Sequence, residues 1–139
     1  MKRNLKNSVL DSFAIIAYLL KQPGSEKVVT LLEKASKEDQ KVLMCAPNWA
    51  EIRYILARRL GEDEWESLQG ELLGLPIEIV SADRSLAEEA GKFKTTRKMS
   101  LADCFAAALA RERKAVIYTG DPEFKQVEDD VEIAWLQAP

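Results

Sequence analysis

VLDSFAIIAYLL, residues Val9 to Leu20, holds a single charge, Asp11, in a run otherwise built for burial. An ionised carboxylate among apolar side chains is costly unless a hydrogen-bond partner or a cation compensates it. The stretch reads as a short buried strand over Ser8 to Leu10, an acid at its carboxyl end, then a helix over Ser12 to Leu20. Two other segments repeat the pattern. In SLADCFAAALA, Ser100 to Ala110, Asp103 is the only charge, and in AVIYTGD, Ala115 to Asp121, Asp121 follows an apolar run. Three isolated acids, each at the edge of an apolar element, point to a shared acidic pocket.

The rest of the chain alternates in the same way. Pro23-Gly24 ends the first helix, and Ser25 is expected to cap a second through about Ser36. Val42 to Ala46 reads as a strand, and Pro47 suits the first turn of a helix running to Leu60. In that helix Trp49, Ile52, Leu56 and Leu60 form the expected core stripe. Gly61 stops it. A helix over Glu62 to Leu73, a strand at Ile77 to Val80 and an Asp83-capped helix towards Lys94 come next. Ser100 caps the Ala-rich helix, with Asp103 three residues on, a variant of the capping box. A strand at Ala115 to Tyr118, a short helix or turn at Pro122 to Val127 and a strand at Val131 to Trp135 complete the order.

Strands alternating with helices predict a mostly parallel sheet of about five short strands with helices on both faces, an α/β/α sandwich. Ligands of such sheets bind beyond the carboxyl ends of the strands. Asp11 and Asp121 fall at that edge, Asp103 lies in the first turn of a helix, and Glu51 follows the second strand by five residues. All four can converge there.

Composition narrows the chemistry. At 139 residues, one domain over 1–139 is expected, and 47% hydrophobic with 31% charged residues is ordinary globular usage. The net charge of −3 lacks the basic excess of a duplex-coating protein. Histidine is absent, which removes Ser-His-Asp and Cys-His catalysis and the HExxH zinc site. Carboxylates, lysines, hydroxyls or an oxygen-ligated metal remain. Cys45 and Cys104 sit in apolar runs and read as core residues of a reduced protein. The amino-terminal apolar run is interrupted by Asp11 and too short to span a bilayer, so no membrane association and a cytoplasmic location are expected.

Each acid also has a plain structural reading. Asp11 could cap the first helix, Asp103 could complement a helix dipole, and Asp121 could be a turn residue. Glu51 could be a solvated helix residue, although no basic residue stands three or four positions away. Taken together these readings weaken, since four acids would share one sheet edge by coincidence. Converging carboxylates raise one another's pKa values and are tolerated with a divalent cation; all-oxygen ligands suit Mg²⁺ or Mn²⁺.

The order VLDS, an Asn-x-x-Glu helix, SLADCFAAALA and TGDPEF resembles the PIN-domain ribonucleases, most closely the VapC-type toxins of toxin–antitoxin pairs. The likeness runs from Val9 to about Trp135. It implies a PIN-like fold and endoribonuclease activity on single-stranded or structured RNA. The metal-binding and catalytic acids would be Asp11, Glu51, Asp103 and Asp121, with Mg²⁺ or Mn²⁺ as cofactor and Ser12 and Thr119 in support. A cognate antitoxin and a homodimer are the implied partners. Phe13 departs from the pattern, standing where a small polar residue is common. Arg53, Arg58, Arg97 and Lys98 are candidates for holding the RNA backbone. A haloacid-dehalogenase-type phosphotransferase would need a second acid at Phe13, and a receiver domain would need paired acids and a late lysine. A PIN-like module that binds RNA or protein without catalysis is the non-enzymatic alternative.

Overall fold

The computed structural model describes residues 7–137. The order is β1 (Ser8–Leu10), α1 (Ser12–Leu19), α2 (Ser25–Lys37), β2 (Val42–Cys45), α3 (Ala46–Leu60), α4 (Glu62–Leu73), β3 (Ile77–Val80), α5 (Arg84–Thr96), α6 (Leu101–Arg113), β4 (Val116–Thr119), a 3₁₀ helix (Pro122–Val127) and β5 (Glu132–Trp135). The five strands form one sheet in the order β3-β2-β1-β4-β5, and every pairing is parallel. Parallel strands need a crossover between neighbours, which the intervening helices supply.

Alternation along the strands splits the core into two layers. Val9, Leu43, Cys45 and Ile117 face α5 and α6, against Leu86, Phe93 and Leu109. Leu10, Val42 and Met44 face the other way, onto Ile15, Val28, Ile52, Leu56 and Trp65 of α1 to α4. Neighbouring residues thus serve opposite faces, as a period of two requires. Helix α6 is buried nearly all round, including Ala106, Ala107, Ala108 and Ala110. Small side chains let it lie close to the sheet and to α3 and α5, all of which it contacts. Cys45 and Cys104 are buried free thiols, as expected of core residues.

Two local expectations are corrected. The N-cap of α2 is Gly24 rather than Ser25, at φ +91°. A Cβ at this position would stand 3.0 Å from Leu136 Cβ, so both dihedral and space favour glycine. Leu60 is 44% exposed and leaves the core stripe to Ile52 and Leu56, while half-buried Trp49 packs edge-on against Trp65 at 5.6 Å. Leu60 is the last residue of its helix. No helix among the described residues is long and apolar enough to cross a membrane.

Candidate active site

The carboxyl ends of β1, β2 and β4 and the starts of α1, α3 and α6 meet at one edge. Asp11 sits where β1 passes into α1 and is fully buried. Its Oδ1 accepts the Ala14 N–H at 2.8 Å, capping α1, and its Oδ2 accepts the Thr119 hydroxyl. The Thr119 oxygen in turn accepts the Asp121 N–H at 3.0 Å. One buried hydroxyl therefore ties the first strand's acid to the loop carrying the last. Asp121 Oδ1 accepts the Glu123 N–H at 2.9 Å and caps the 3₁₀ helix. Ser100 Oγ accepts the Asp103 N–H at 3.1 Å and starts α6. Ser12 accepts a 2.9 Å hydrogen bond from Asn48 Nδ2, locking the first turn of α1 to that of α3, which carries Glu51.

These pieces surround a cleft of about 320 Å³ lined by Ser12, Phe13, Ile16, Glu51, Ile55, Ser100, Asp103, Asp121 and Glu123. Four of these are acids and none is basic. Carboxylate oxygens of Asp103, Asp121 and Glu123 lie within 4.8 Å of one another. Asp11 forms the floor beneath them and does not line the open surface. Of the four acids read from the sequence, then, the structure brings Asp103 and Asp121 closest, sets Glu51 on the cleft wall and buries Asp11 below. Glu123 completes the tight group and is absent from the expected set. Its signal was the Asp-Pro-Glu spacing, in which Pro122 at the start of the 3₁₀ helix turns both acids into one short arc.

Crowding and burial dominate the electrostatics. Desolvation pushes the Asp11 carboxyl up to about 8, against the lowering effect of Thr119 and Ala14, with Asp103 and Asp121 adding repulsion. Asp103 is pushed up to about 7, again mainly by burial and then by Asp121, Glu51 and Glu123. The ends of three helices help, since each amino terminus directs partial positive charge at the cleft. They do not cancel the repulsion. Asn48 Oδ1 is also buried without a hydrogen-bond partner beside this group. An all-oxygen donor set of crowded, reluctantly ionised carboxylates fits a hard divalent cation, which favours the charged form of each ligand.

The basic candidates are less available than their sequence positions suggest. Arg53 makes a two-pronged bond to Glu62 at 2.8 and 3.1 Å, and Arg97 pairs with Asp130 at 2.9 Å. Arg58 and Lys98 are exposed. A larger groove of about 560 Å³ lies elsewhere, along Glu26, Lys27, Thr30, Leu31 and Tyr118. Its single acid stands beside Lys27 and Lys34, so it offers none of the carboxylate crowding seen at the sheet edge.

In open α/β sheets ligands bind beyond the carboxyl ends of the strands, and there this wholly parallel sandwich gathers its acids. The chain belongs to the PIN domain family, whose model matches residues 8–130. No curated protein sequence matches the chain. Among solved structures it is similar to the DNA-bound VapBC of Salmonella typhimurium, at 15% identity and a TM-score of 0.75, covering 96% of this chain and 100% of that one. It is also similar to VapC20 of Mycobacterium tuberculosis, a sarcin–ricin loop cleaving toxin, at 16% identity and 0.69, covering 87% and 95%. A toxin–antitoxin complex from Klebsiella pneumoniae matches at 12% identity and 0.68, covering 96% and 100%. At these identities the likeness is one of fold.

Proposed function

We propose that the chain is a divalent-metal-dependent endoribonuclease and the toxin of a toxin–antitoxin pair, active on single-stranded or structured RNA. The observation that carries this reading is the carboxylate cluster of Asp103, Asp121 and Glu123 over buried Asp11, at the open edge of a PIN fold. The similar VapC20 is a sarcin–ricin loop cleaving toxin, and another similar structure is a toxin–antitoxin complex.

Asp11, Glu51, Asp103 and Asp121 would hold Mg²⁺ or Mn²⁺, with Glu123 within reach of the same ion. When bound, the ion supplies a water of lowered pKa and neutralises charge on the scissile phosphate. The protein's part is positional. Thr119 fixes the rotamer of Asp11 and the start of the Asp121 loop through one hydroxyl. The Ser12–Asn48 bond sets the spacing of the helices that carry Asp11 and Glu51. The buried floor keeps bulk water from the ligands' inner oxygens.

An antitoxin would occupy the cleft by placing an Arg or Lys among the acids, because a partner's cation relieves the repulsion that the metal relieves. The deciding experiment is RNA cleavage by the purified protein in Mg²⁺ or Mn²⁺, against EDTA and against Asp121→Asn. Cleavage that needs the ion and is lost in the variant supports the reading; undiminished cleavage in excess chelator overturns it. Binding of a partner protein that leaves RNA cleavage intact would count against the inhibitory role.

A further inference from the structure

We propose that Phe13 is a stacking platform for the nucleobase next to the scissile phosphate. The proposal rests on the ribonuclease reading and gives that site a means of holding its substrate. Phe13 follows Asp11 by two residues and lines the cleft with Glu51, Asp103, Asp121 and Glu123. It is 39% exposed, although the inward positions of the same helix, Ala14, Ile15 and Ala17, are fully buried. Those residues face the core, and Phe13 belongs to neither core layer, so core packing does not explain the ring.

Its seat is defined by Gly120, the residue before Asp121. A Cβ built on Gly120 would stand 2.2 Å from Phe13 Cε1, 2.7 Å from Cζ and 2.9 Å from Cδ1. One edge of the ring thus rests on bare backbone at a point where any side chain would dislodge it. Ile16, one turn further along α1, and Ile55 extend the apolar side of the cleft. The cleft is divided into an acidic floor suited to an ion and its phosphate and an apolar wall ending in a flat ring. A nucleotide carries the same division, an anionic phosphate beside an aromatic base. Stacking on an exposed ring is tolerant of base identity, so the platform would supply affinity and placement, with sequence preference left to other contacts.

The test is fluorescence anisotropy of a labelled, mixed-sequence single-stranded RNA. Ca²⁺ replaces Mn²⁺ to hold off cleavage, and a companion series of strands just long enough to fill the cleft, so that their register is fixed, carries one abasic nucleotide moved along the strand. Wild type, Phe13→Leu and Phe13→Trp are compared. Leucine keeps the apolar bulk and loses the ring face; it should weaken binding roughly ten- to a hundredfold, the worth of one base–aromatic stack. Tryptophan should restore it. In wild type one abasic position should bind poorly, and in Phe13→Leu that position should become indistinguishable from its neighbours, a response that mere loss of structure does not give. Equal binding by wild type and Phe13→Leu, or the same abasic profile in both, overturns the platform and leaves the nuclease reading standing. Failure of wild type to bind this RNA overturns the platform, while ion-dependent cleavage still decides the nuclease reading.

Discussion

Asp11 caps α1 and lies buried beneath the acid cluster, so its reading as a cap does not exclude a place in the site. The same holds for Asp121, which caps the 3₁₀ helix, and the choice of substitution separates the roles. Asn is as good an N-cap as Asp, so Asp11→Asn should leave the metal-free melting temperature unchanged or raised and still lower RNA cleavage by at least about a hundredfold, the upper range for losing even an outer partner of a metal ligand. Asp11→Ala loses the Ala14 hydrogen bond as well and should be less stable than Asp11→Asn by about 1 kcal/mol, read from denaturant melts. Thr119→Val keeps the shape and deletes the hydroxyl that serves both Asp11 and Asp121. Loss of that donor drives the Asp11 carboxyl higher still. Manganese affinity at neutral pH should therefore fall in calorimetry, with Thr119→Ser recovering most of it.

At the scale of elements, most of the architecture was legible because the signals were local. Single-acid apolar runs marked β1, α6 and β4, and Ser100 and Asp83 capped the helices they were expected to cap. What escaped depended on space. Nothing around Ser25 reveals that Leu136 packs against the preceding residue and requires glycine there. Leu60 fits the helical period of Ile52 and Leu56 but stands exposed at the last position of α3. Glu123 was not singled out, since only the tight arc after Pro122 brings it beside Asp121. The role of Asn48 likewise needed the two helix starts to be brought together. The Ala-rich face of α6 makes a prediction of its own. Ala110 lies at the end of the helix away from the cleft and is 1% exposed, so Ala110→Leu should overpack the core and cost about 1–3 kcal/mol. The Mn²⁺-induced rise in melting temperature should survive that change, which would show that core and cleft are separable.

For the whole molecule, the raised acids make stability depend on pH in a definite direction. In the unfolded chain an Asp ionises near pH 3.9. The folded, metal-free protein retains the Asp11 proton to about 8 and the Asp103 proton to about 7. Between those limits the folded state binds more protons than the unfolded one, so this stabilisation is complete below about pH 4 and lost as pH rises through 7 to 8. Metal-free melting temperature should fall from pH 5 to 8.5, and the Mn²⁺-induced rise should grow over the same range, since only ionised carboxylates bind the ion. At a hundredfold excess over Kd that rise corresponds to about 2.7 kcal/mol. A flat metal-free profile would mean the acids titrate independently in water. The topology has a further consequence for how the protein is made. The strand made first lies at the centre of the sheet, and its acid is held by a hydroxyl 108 residues later. A ribosome that has delivered Asp11, Glu51 and Asp103 has not yet made the cleft, because β4 and the loop to Asp121 are still to emerge. A chain cut short before β4 therefore lacks both the hydroxyl that holds Asp11 and the last acid of the cleft, and should show no RNA cleavage.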